Sequence, residues 1–187
     1  MANLRDTHRT GRRHAVPPPV LCRARFAVSL TKGEESFSSP QNKIKMRYYT
    51  GDIVPDGDTV FVFGSNPEGR HGAGAAHVAL TRFHAKYGQG EGLQGYAYAI
   101  PTKDLRVKEN NGYRSIPRQR IVESIRKMYS EARYFNAMKF CIAYRNTDRR
   151  TLNGYTGYEM IRMFIEAGPI PDNVYVSEEW YRTGLFN

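Results

Sequence analysis

Residues 59–76 read TVFVFGSNPEGRHGAGAA, and the step within this stretch from a β-branched and aromatic run to a glycine-rich loop decides the fold class. Thr59, Val60, Phe61, Val62 and Phe63 form a short apolar run that stops at Gly64, as a buried strand does. Beyond the glycines, Ala75, Ala76, Ala79, Leu80 and Phe83 fall near the i, i+3, i+4 spacing of one helix face within residues 72–87. The unit is strand, loop, helix.

Reading outward, the same alternation continues. Residues 96–100 form a strand closed by Pro101. Pro117 opens a helix carrying Ile121, Ile125, Met128 and Tyr129, and residues 139–144 form another buried strand. Residues 157–167 place Met160, Ile161 and Phe164 on one helical face, and residues 173–176 give a last strand before Glu178, Glu179 and Trp180. Helices between strands imply crossovers, hence a largely parallel α/β sheet with helices on both faces. Ligands of such sheets collect beyond the carboxyl ends of the strands, so the loops after Phe63, Ile100 and Tyr144 should share one rim.

The 187 residues suffice for one sizeable core. No stretch reaches the roughly 18–20 apolar residues of a membrane-spanning helix, which points to a soluble, cytoplasmic protein without a membrane partner. Cys22 and Cys141 are the only cysteines, too few for a disulfide framework or a zinc cluster, and a reducing compartment fits them. The net charge of +10 is uneven: residues 1–45 hold nine Lys/Arg against three Asp/Glu, leaving 19 against 15 for residues 46–187. Only Phe26 and Phe37 among the aromatic residues precede Met46, so residues 1–45 read as a disordered basic arm and residues 46–187 as the domain. A nucleic-acid-binding tail, a targeting presequence and residues upstream of a start at Met46 remain three readings of that arm.

Gly64, Gly69, Gly72 and Gly74, lying between a strand and a helix, allow close backbone approach to an anion, which the first free N–H groups of the helix would meet. The same glycines could instead only make a turn. Ser65, Asn66, Arg70 and His71 add polar ends among them and favour binding. The stretch is neither a Walker loop, having no Gly-Lys-Ser/Thr ending, nor a dinucleotide fingerprint. His71, His77 and His84 lack the spacing of a helical metal site, and no metal or cofactor is expected. In PTKD, Thr102, Lys103 and Asp104 follow a strand, where Asp104 either reacts or stabilises a turn. Arg145, Arg149 and Arg150 either clamp a phosphate or form a solvated charge run.

The ordered set of GDI at Gly51, Asp52 and Ile53, then FGSNPEGRHGAGAA, YAIPTKD and the C-terminal EEW resembles the macrodomain, an ADP-ribose-binding module. The similarity is greater to a macro-like group of bacteriophage and bacterial proteins, and it covers most of residues 46–187. The resemblance implies a three-layer α/β/α domain with a largely parallel mixed sheet. It implies that Asp52, with Ile53 beside it, reads the adenine amino group, and that Asn66 faces the distal ribose. His71, Gly72, Ala73, Gly74 and Ala75 would lie along that ribose and the phosphates. A later loop, residues 144–157, would wrap the diphosphate, with Asn153, Gly154, Tyr155, Thr156 and Gly157 as its matching tail. Here that loop is long and cationic, and Pro67 and Glu68 lengthen the first loop. Hydrolysis of an ADP-ribosyl bond would fall to Asn66 and His71, and an ADP-ribosylated target would be an alternative partner to the free nucleotide.

Overall fold

The computed structural model describes residues 46–186; the expectations for the basic arm, including Cys22, lie outside them. Six strands, β1 (Arg47–Tyr49), β2 (Thr59–Ser65), β3 (Gly92–Gln94), β4 (Ala97–Pro101), β5 (Lys139–Ile142) and β6 (Val174–Ser177), form one sheet in the order β1-β6-β5-β2-β4-β3. Every pairing is parallel except β3 with β4. Four α-helices accompany it: α1 (Gly74–Arg82), α2 (Arg118–Tyr134), α3 (Gly157–Glu166) and α4 (Glu178–Tyr181).

The period of two along each strand splits the apolar residues between two cores. Val60, Val62, Tyr98, Ile100, Phe140, Ile142, Val174 and Val176 face α2, α3 and Trp180. Phe61, Phe63, Ala97, Ala99 and Cys141 face α1 through Ala76, Ala79 and Phe83. The molecule is therefore layered, with helices on both faces of a mixed, mostly parallel sheet. Burial in the second core pushes the Cys141 thiol up to about 12, so it stays protonated and acts as a small apolar group.

The connection after β2 leads to α1 on one face, whereas the connection after β5 leads to α3 on the other. Two neighbouring parallel strands whose continuations part in this way leave a crevice at their carboxyl ends. That crevice, between β2 and β5, holds the candidate site.

The chain departs from the sequence reading at the small elements. The strands β1 and β3, three residues each, carry no apolar run to announce them. Helix α1 is shorter than residues 72–87, ending in a cap at Phe83, after which His84 takes a positive φ of 58°. Gly74 opens α1 at φ +55°, a left-handed conformation in which an L side chain is strained.

Candidate functional site

Three cavities run into one another along the crevice. The central one, about 550 Å³, is lined by Gly64, Ala73, Ala75, Thr102, Ala143, Tyr144, Arg145, Arg150 and Asn153 among others. At one end it shares Ala75, Ala143 and Arg145 with a space of about 330 Å³ that also touches Asp52, Ile53, Val78 and Arg82. At the other it shares Gly64, Ala73, Thr102 and Asn153 with a space of about 310 Å³ reaching Ser65, Asn66, Arg70, Gly72 and Lys103. Each is within the size range of small-molecule sites. The loops after β2, β4 and β5 thus meet on one rim.

Helix α1 points its amino end into the central cavity. Ala73 at the N-cap offers no side-chain acceptor, the first turn has no acidic residue, and His77 is the first residue whose N–H turns back, to the Ala73 carbonyl at 3.2 Å. The N–H groups of Gly74, Ala75 and Ala76 are therefore left for solvent or a ligand, at the positive end of the helix dipole. Leu152, 71% exposed, overhangs this turn, its Cδ1 lying 3.8 Å from where a Cβ on Gly74 would stand.

The Asp52 end is organised by Arg145. Its guanidinium donates to the Gly51 carbonyl, stands 3.5 Å from the Asp52 carboxylate, and lies over the Tyr49 ring at 5.6 Å. The Tyr49 hydroxyl donates to the Ile142 carbonyl at 2.7 Å, and burial pushes its pKa up to about 12 against the opposing pull of Arg145. Arg145 thus fixes the turn at Gly51 while one side remains open to the cavity. Asp52 itself is 85% exposed.

At the other end, the Asn66 amide closes its own loop: Nδ2 donates to the Arg70 carbonyl at 2.8 Å and Oδ1 accepts from the Arg70 N–H at 2.9 Å. Asn66 lines the cavity with one amide hydrogen still unassigned. His71 does not line it. Its ring is fully buried, edge-on to Phe63 at 5.2 Å, with Nε2 at 3.1 Å from the Gln89 carbonyl and Nδ1 without a partner among the described residues. Asp104 is likewise occupied, accepting from Arg106 through its N–H at 2.9 Å, Nε at 3.0 Å and Nη2 at 2.7 Å, which holds its carboxyl below the usual range. Of the PTKD string, Thr102 and Lys103 reach the groove.

The loop of residues 144–157 divides its predicted residues in the same way. Arg145, Arg150 and Asn153 line the central cavity. Tyr155 is buried, donating to the Ile116 carbonyl at 3.0 Å, and Thr156 caps α3 in a reciprocal box with Glu159. Gly154 packs on Tyr113 and Gly157 on Asn146, each with no room for a side chain. Trp180 of the EEW string anchors the loop from below, donating from Nε1 to the Asn146 carbonyl at 2.8 Å and stacking on Tyr144 at 5.7 Å. Arg82 and Val78 are lining residues that sequence reasoning did not place in the site; Val78 is half-buried against the second core and Arg82 is exposed on α1, where helical period alone marks no function.

Charge is distributed unevenly along the groove. Arg70, Arg82, Lys103, Arg145 and Arg150 line it, against the single carboxylate of Asp52. Among the described residues no three His, Cys, Asp or Glu side chains gather to hold a metal ion, and no helix is long and apolar enough to cross a membrane. The chain matches no protein-family model, and no curated protein matches its sequence.

Proposed function

We propose that the groove binds ADP-ribose or a related phosphorylated nucleoside, free or attached to a target, as a macro-like domain would. The observation that carries this reading is the cationic groove itself: five cationic side chains and an uncapped helix amino end against one carboxylate, which favours a polyanion of small-molecule size. The order along it also suits such a ligand. The nucleobase would lie by Asp52 and Ile53, the diphosphate at Gly72, Ala73, Gly74 and Ala75 with Arg145 and Arg150 opposite, and the distal ribose by Ser65 and Asn66.

Hydrolysis of an ADP-ribosyl bond is the catalytic extension of this proposal. It would use a water beside Asn66 and the ligand's own phosphate, with His71 acting only as a support beneath the loop, because its ring is sealed from the groove. Calorimetry and thermal shift with ADP-ribose, ADP, NAD and cyclic ADP-ribose test binding. A ligand at 100 times its Kd should stabilise by about 2.7 kcal/mol. The absence of a shift with all four would sink the reading. Affinity that collapses between low and moderate salt would favour nucleic-acid binding instead.

A further inference from the structure

Gly64, the next-to-last residue of β2, forms the floor of the central cavity, and its missing side chain has a specific occupant. A Cβ built there would collide with the hydroxyl of Tyr144 and would lie 3.1 Å from both the Tyr144 Cζ and the Thr102 Oγ1. Tyr144, Thr102 and Asn153 all line the same cavity. Three polar side chains from the ends of three segments thus converge on one point beneath the amino end of α1.

The Asn153 Oδ1 already accepts from the Tyr155 N–H at 2.9 Å and from the Thr151 hydroxyl, so the Nδ2 end of the amide is its free donor. That nitrogen donates to the Met160 Sδ at 3.6 Å. The side chains of Thr102 and Asn153 stand beside the Tyr144 phenol and act to lower its pKa. Burial outweighs them and pushes the phenol up to about 12, so it keeps its proton at neutral pH. A phenol that keeps its proton and lines the cavity can give that proton to a ligand oxygen. A ribose hydroxyl can donate as well as accept, whereas a phosphate oxygen only accepts and is the better match.

We infer that Tyr144 donates a hydrogen bond from the cavity floor to an oxygen of the ligand diphosphate, opposite the N–H groups of α1, with Thr102 and Asn153 lining the cavity beside it and Gly64 leaving it room. The inference rests on the proposed phosphonucleoside site and adds the group on this chain that reads the phosphate. Tyr144 is a binding residue here, and Gly64 gives its hydroxyl room.

Calorimetry with ADP-ribose and melting curves of the ligand-free protein test this on four proteins: wild type, Tyr144→Phe, Gly64→Ala, and the double variant. Tyr144→Phe should weaken ADP-ribose about tenfold or more, as loss of a hydrogen bond to a charged group does. Gly64→Ala should lower both melting temperature and affinity, because the new methyl displaces the hydroxyl. In the double variant the melting temperature should recover, since the colliding atom is gone, while affinity stays low. A purely structural tyrosine predicts that affinity recovers together with stability, and that result overturns the inference. So does Tyr144→Phe binding ADP-ribose as the wild type does. If the wild type itself binds no ADP-ribose, the proposed function fails and this inference with it, an outcome distinguishable from failure in the variants alone.

Discussion

Asp52 and Gly74 show how differently two residues of one groove respond to substitution. The Asp52 carboxylate is 85% exposed and holds Arg145 only at 3.5 Å, so little of the fold depends on it. Asp52→Ala should leave the melting temperature within a degree or so, while weakening adenosine-containing ligands by about tenfold, the lower end for a charge-assisted hydrogen bond. Ribose 5-phosphate, which has no base, should bind both proteins alike, and equal losses for the two ligands would return Asp52 to the scaffold. Gly74 is the reverse. Its surroundings are open, but φ of +55° makes any L side chain strained there. Gly74→Val should cost roughly 1–3 kcal/mol of stability by urea unfolding, and Gly74→Asn less, since asparagine tolerates the left-handed region. A valine variant as stable as wild type would show that this turn relaxes freely. The glycine-rich string marked the location of this residue correctly, but composition carries no φ, and so the sign of the effect was not legible.

At the scale of elements, the clearest signals were those with sustained periodicity. The runs at β2, β4 and β5 and the apolar faces of α2 and α3 were readable because each buries a face against the sheet, and burial writes its period into the sequence. The strands β1, reading RYY, and β3, reading GLQ, were not, because three residues are too few to show alternation and their pairing partners are distant or antiparallel. The candidate site was half legible for a similar reason. Loops at strand ends could be placed on one rim, but whether a residue such as His71 turns into the crevice or into the core depends on contacts with Phe63 and Gln89 that no local pattern records. The α3 capping box gives this scale its own prediction. The Thr156 side chain accepts from the Glu159 N–H at 3.2 Å while Glu159 accepts from the Thr156 N–H at 2.8 Å, and Thr156 also pairs with Arg150 of the groove loop. Thr156→Ala should destabilise by about 1 kcal/mol. It should also reduce ligand affinity through the loosened loop, whereas unchanged affinity beside the stability loss would uncouple α3 from the site.

At the scale of the whole molecule, four carboxylates among the described residues are held below their ordinary pKa values of 3.8 and 4.5. Asp56 is held by Thr59 and by Lys139, and Asp104 by Arg106. Glu91 and Glu159 are partly buried, which alone would raise them, but Ser124, Lys127 and Arg120 outweigh this for the first, and the Thr156 N–H and Arg114 for the second. A depressed carboxylate stabilises the fold above its unfolded pKa, and that contribution is lost as pH falls through the folded value. Glu131, raised by burial, runs the other way. The balance predicts a melting temperature that is flat from pH 7 to about pH 5 and declines below about pH 4. Glu91→Gln should flatten part of that decline, and a profile identical to wild type would remove the Glu91 cluster from the acid response.

The three-residue length of the sheet's outermost strands carries a consequence for self-association. A long exposed edge offers a row of unpaired amides on which another chain can add itself, and edges are a common route to aggregation. Here β1 and β3 each present only three residues. The hydrophobic strands β2 and β4 each have strand neighbours on both sides, and the described sheet leaves little template on which fibrils could start growing.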